Sequence, residues 1–87
     1  MNENRLEQEA ILVWNAIETL AKRNKITCSA LARLSGLDAT AFNKSKRYDA
    51  TGRSHLPSMK SLIKVLIYTN STWYDFADLM QRSDTNS

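Results

Sequence analysis

The sequence predicts an all-α fold, on three observations. Apolar residues recur at helical spacing near both ends of the chain. No stretch alternates apolar and polar residues as a half-buried strand would. The only strong breakers are Gly36, Gly52 and Pro57, and each falls between periodic segments. A chain of 87 residues supports one core, and an apolar fraction of 43% argues against disorder throughout. The expectation is a compact five-helix domain over residues 6–82, with a flexible stretch at 1–5 and a polar tail or linker at 83–87.

Leu6, Ala10, Val13, Ile17, Leu20 and Ala21 follow the 3.6-residue period of an amphipathic first helix. Ile11, Leu12 and Trp14 widen that stripe, as suits the central helix of a small bundle. Lys22, Arg23 and Lys25 crowd its C-terminal end, where cations complement the helix dipole. Thr27 is a good N-cap for a second helix, with Cys28 and Ser29 in its first turn. Leu31, Ala32 and Leu34 are its inward candidates. Gly36 suits a left-handed stop, and Leu37 plugs the turn.

Asp38 caps a predicted third helix that opens on Ala39, Thr40 and Ala41 and continues towards Arg47. Phe42 is its only large apolar residue and must point inward. Advancing about 100° per residue from Phe42 sets Thr40, Asn43, Lys44 and Arg47 on the opposite face. Residues 48–56 have no periodicity and read as a loop. Pro57 and Ser58 start a fourth helix, whose inward stripe is Met59, Leu62, Ile63, Leu66 and Ile67. After a break at Asn70-Ser71-Thr72, the residues Thr72 to Asp75 resemble a capping box for a fifth helix. Trp73, Phe76, Ala77 and Met80 share its inward face, and both tryptophans are expected in the core. Tyr74 and Leu79 fall off that face and are candidates for a small contact with another chain.

Charge is segregated. Between Lys22 and Lys64 ten Lys/Arg stand against two acids, Asp38 and Asp49, while the flanks carry two Lys/Arg against seven acids. This favours a polyanionic partner approached from one side. The longest apolar run, Ala10–Trp14, is too short to span a membrane, and the N-terminus lacks a signal-peptide pattern. One cysteine makes no internal disulfide, which fits a reducing cytoplasm. His55 is the only histidine and lacks partners for a zinc site, and no nucleophile–base pair appears. No enzyme, cofactor, metal or small-molecule ligand is therefore expected.

Two short helices crossing through a Gly-Leu turn make a helix-turn-helix. A helix fits the major groove of double-stranded DNA, where polar side chains on its outer face reach base edges. Asn43 can pair with adenine, Lys44 or Arg47 can donate to guanine, and the methyls of Ala39 or Thr40 can touch thymine. The start of the second helix, Thr27, Cys28 and Ser29, is expected at a phosphate, with Cys28 in a position that lowers a thiol pKa. Lys46, Arg53, Ser54 and His55 would hold the flanking backbone. The competing class is a helical module that binds protein or RNA with the same fold; that surface would offer exposed aromatic anchors rather than Thr40, Asn43, Lys44 and Arg47.

The stretch Ala32-Arg33-Leu34-Ser35-Gly36-Leu37, with Phe42 five residues on, is similar to the lambda-repressor-like helix-turn-helix family. With Trp14–Ala21, Phe42–Arg47, Gly52-Arg53 and Pro57-Ser58 it resembles the N-terminal DNA-binding domain of LexA-like phage-type repressors. The resemblance covers roughly residues 10–82 and departs from the family pattern at Ser35 and Ser45, where larger apolar residues are common. It implies a transcriptional repressor that binds a two-fold operator as a homodimer, with the third helix in the major groove of each half-site. It also implies a self-cleaving C-terminal peptidase domain, whose residues lie outside this stretch. Since that domain drives much of the pairing, these residues alone are expected to be monomeric in solution and to pair on DNA.

Overall fold

The structure, a computed structural model, describes residues 3–85. It is all-α: α1 spans Glu3–Arg23, α2 Cys28–Leu34, α3 Met59–Tyr68 and α4 Trp73–Thr85, with a 3-10 turn at Lys44–Lys46. Four helices therefore stand among the described residues where five were expected. Helix α1 begins at Glu3, so residues 3–5 of the expected flexible stretch are helical; α4 likewise runs through the start of the expected tail. The remaining tail residues, 86–87, and the first two residues lie outside the described ones.

Side-chain and backbone caps define the helices. The hydroxyls of Thr27 and Ser58 each accept the N–H three residues on, from Ala30 and Ser61, both at 3.0 Å. Thr72 and Asp75 form the expected capping box: Asp75 N–H donates to the Thr72 hydroxyl and Thr72 N–H to the Asp75 carboxylate. At the C-terminal ends of α1, α2 and α3 the chain closes through the same paired backbone bonds. In α2 they run from Gly36 to Arg33 and from Leu37 to Ala32. The left-handed residue is Gly36 (φ 85°) after α2 but Lys25 (φ 59°) and Asn70 (φ 56°) after α1 and α3. Gly36 and Asn70 fall where the sequence places a stop and a break, whereas Lys25 was not legible, because a lysine enters that region against a steric preference.

Helix α1 is the centre. Trp14, Ile17, Leu20 and Ala21 pack with Leu31 and Ala32 of α2, Val65 and Leu66 of α3, Phe76 and Leu79 of α4, and Phe42. Several expected inward residues are instead at the surface. Leu34 is exposed, and so are Leu6 and Ile11 of α1, Met59, Ile63 and Ile67 of α3, and Trp73 and Ala77 of α4. Leu79, expected outside, is 2% exposed. In α3 the apolar residues cover almost two faces, so the inward one is set by which neighbour is present, and Val65 with Leu66 wins it. In α4 the buried pair Phe76 and Leu79 puts Trp73 at the rim, where its ring meets Phe76 edge-on at 6.3 Å.

Candidate nucleic-acid interface

The segment after α2 is not a third α-helix. Asp38 does cap it, its carboxylate accepting the Thr40 N–H at 3.2 Å. The bonds that follow span three residues rather than four: Ala41 to Asp38, Asn43 to Thr40, Lys46 to Asn43 and Arg47 to Lys44. Asn43 is extended (φ −64°, ψ 149°) and stands as the cap of the Lys44–Lys46 turn.

Arg47 takes up a carbonyl that this break leaves without a backbone partner. In a continuous helix the Phe42 carbonyl would accept from Lys46. Here the Arg47 guanidinium donates to that carbonyl through Nε at 3.3 Å and Nη2 at 3.1 Å. Its Nη1 lies 2.7 Å from a Glu18 oxygen on α1, and its plane sits 4.9 Å from the Trp14 ring. The side chain is 11% exposed. Arg47 was expected on the outward, base-reading face; it is an internal anchor instead, because the backbone leaves helical geometry before reaching it.

Phe42 is buried as expected, with its ring edge-on to Trp14 at 6.0 Å. Phe42 and Arg47 thus pin the segment from beneath. Between and before them, Thr40, Asn43, Lys44, Ser45 and Lys46 are exposed, and Ala39 is half-buried. The result is a short polar and cationic ridge held at two points.

The loop beyond is more ordered than its sequence suggests. Tyr48 and Ser54 bridge as in an antiparallel hairpin, and Asp49 accepts from Thr51 and from the Arg53 N–H. Gly52 (φ 85°) makes the left-handed turn that such a loop requires. The hydrogen bond from the Thr51 hydroxyl chiefly, with backbone N–H groups, holds the Asp49 carboxyl below the usual range. Two contacts tie this loop to α1. Trp14 Nε1 donates to the His55 carbonyl at 3.1 Å, and Ser54 donates to Glu7 through its N–H and its hydroxyl, the latter at 2.7 Å.

These contacts revise the expected phosphate-binding set. The Ser54 hydroxyl and N–H are both committed to Glu7, so Ser54 is a fastener of the loop. The Thr27 hydroxyl oxygen accepts the Ala30 N–H as its helix cap, a bond that does not use its O–H proton. Cys28 is half-buried beside Arg47 and Glu18, and burial pushes its thiol above the ordinary value, against a smaller opposing pull from Arg47. That is the reverse of the lowered thiol expected at a helix start. Ser29, Lys46, Arg53 and His55 remain exposed.

Sequence reasoning missed Glu7, Glu18 and Trp14 as supports of this ridge. A signal was present for Glu18: it is an acid beside Ile17 on the apolar flank of α1, where a carboxylate needs a partner. No described group of His, Cys, Asp or Glu could hold a metal ion. No helix of the described residues is long and apolar enough to cross a membrane. Compared with known protein families, curated proteins and solved structures, the chain matches none.

Proposed function

We propose that the chain binds double-stranded DNA in a sequence-specific way and acts as a transcriptional repressor of the lambda-repressor-like, LexA-like phage type. In this reading α2, its Gly36-Leu37 turn and the ridge 39–46 form a variant helix-turn-helix. The ridge enters the major groove as two short turns rather than one long helix. Thr40, Asn43 and Lys44 read bases, with the Ala39 methyl available to thymine. Lys46, Arg53, Ser29 and His55 meet phosphates and set affinity without setting sequence. Arg47 and Ser54 act indirectly, by holding the ridge and loop against α1.

One observation carries the reading. Phe42 and Arg47 are fixed on the core while the intervening Asn43, Lys44, Ser45 and Lys46 are all exposed. A rigid cationic ridge with an amide at its start suits a groove lined by phosphates and base edges, and no aromatic anchor interrupts it. A homodimer on a two-fold operator follows the same reading, each copy placing one ridge in a half-site.

Selection of bound duplexes from a random pool tests it. Enrichment of one repeated, inverted half-site is the expected result. A pool with no enrichment over salt-sensitive background would replace DNA reading by non-specific or RNA binding.

A further inference from the structure

Aromatic anchors are absent from the ridge but present on another face. Met59, Ile63 and Ile67 lie four residues apart on α3 and form one exposed stripe beside the buried Leu66. Trp73 and Tyr74 open α4 across from it, and a groove of about 360 Å³ lies between them, lined on the α3 side by Ile63, Leu66 and Ile67. Ile67 is 74% exposed and Tyr74 88%. The groove is not purely apolar. The Trp73 indole N–H and the Tyr74 hydroxyl carry no hydrogen bond among the described residues. On the other rim, a step of about 100° per residue sets Lys60 and Lys64 beside Ile63 and Ile67, away from Leu66. Neither lysine has an ion-pair partner among the described residues, and the sequence holds no acid between Asp49 and Asp75.

We propose that this face docks an acidic amphipathic helix of a different protein, its apolar stripe in the groove and its carboxylates against Lys60 and Lys64. Three observations select that occupant. A recess between two elements receives the side-chain ridge of a helix, and the stretch from Met59 to Ile67 rises about 12 Å, or two turns of a partner helix. Trp73 and Tyr74 have the composition of a binding hot spot, and their free donors meet carbonyl or carboxylate oxygens of a peptide. The two unpaired lysines set the sign of the charge on the partner's flank. A lipid surface matches less well. It leaves the recess unfilled, and Asp75 and Asp78 on α4, the latter on the same face as Tyr74, repel anionic headgroups. Single-stranded nucleic acid would stack on the two rings but leave the aliphatic stripe in water.

The docking face uses no residue of the ridge, so it stands apart from the DNA-binding reading. The probe is a displayed library of helices of about 18 residues, with a fixed apolar stripe and flanking positions drawn from Glu, Gln and Lys. Selection against the whole immobilised chain is expected to enrich Glu over Lys on one flank by about tenfold or more. Against Ile67→Glu the enrichment is expected to vanish. Against the double variant Lys60→Glu, Lys64→Glu it is expected to invert in favour of Lys. None of the three residues is buried, and an unchanged helical circular dichroism verifies each fold. No enrichment by the wild-type chain, no flank preference, or Glu enrichment that persists in Ile67→Glu would overturn the proposal. Ile67-dependent self-association, or binding to phosphatidylglycerol vesicles, in place of peptide binding would overturn it too, giving the face to a second copy or to lipid.

Discussion

The Arg47 guanidinium lies 2.7 Å from the Glu18 carboxylate while also donating to the Phe42 carbonyl. This one side chain joins α1 to the exposed ridge and satisfies the Phe42 carbonyl that the ridge's own backbone leaves open. Arg47→Ala leaves a partly buried carboxylate and a buried carbonyl unpaired. We expect it to lower unfolding free energy by about 2–4 kcal/mol in urea titrations. Arg47→Lys should recover little of that, since an ammonium lacks the planar fork that meets both acceptors. A fully stable Arg47→Ala variant would mean the ridge is held by Phe42 alone.

Ser35 closes α2 as its C-cap. It is only 9% exposed, and its hydroxyl has no hydrogen-bond partner. Its backbone N–H, by contrast, is satisfied by Leu31 and Ala32. Ser35→Ala removes an unsatisfied polar group and nothing else. It should raise the stability by about 1 kcal/mol, read as a higher urea midpoint at unchanged slope. A lower midpoint would show that the hydroxyl is bonded in solution.

Acid should destabilise the fold through three caps and turns. Backbone N–H groups of Thr40 and Thr72 hold the Asp38 and Asp75 carboxyls low, and the Thr51 hydroxyl does the same for Asp49. Each folded-state pKa lies below its unfolded value, so the unfolded chain binds more protons in acid and stability rises with pH. The contribution is complete above about pH 5 and is lost as pH falls below about 4, through the depressed folded values. Urea midpoints from pH 7 to pH 3 should stay level and then drop. Asp49→Asn should drop less steeply, because one titrating group is gone. An equal slope in the two proteins would remove Asp49 from the acid response.

The helix starts and the all-α class were legible because capping is local chemistry: Thr27, Ser58 and the Thr72–Asp75 pair each need only their own next three residues. What was illegible depends on contacts distant in sequence. Nothing near Asn43 announces that the chain stops being helical, and the contact that turns Arg47 inward, with Glu18 on α1, lies 29 residues away in sequence. The same holds for α3, where Met59, Ile63 and Ile67 have the periodicity of a core stripe and are nonetheless exposed. Periodicity locates an apolar face but not its partner. The candidate ridge was found by its residue types; which members point outward followed only from the backbone.

In the proposed DNA-binding reading, Asn43 and Lys46 separate reading from holding. Asn43→Ala should cost about 1–3 kcal/mol on a selected duplex and almost nothing on unrelated sequences. Lys46→Ala should weaken all duplexes alike and lower the salt slope by about one unit. Loss of affinity by Asn43→Ala on every sequence would move it from the base-reading set to the phosphate set.

The most direct test of DNA reading by this chain compares its affinity for a selected duplex with that for the same duplex shuffled, at physiological salt. The expected preference is about a thousandfold or more, with both affinities falling as salt rises. Equal affinity for the two duplexes, or no binding to either, would contradict sequence-specific recognition.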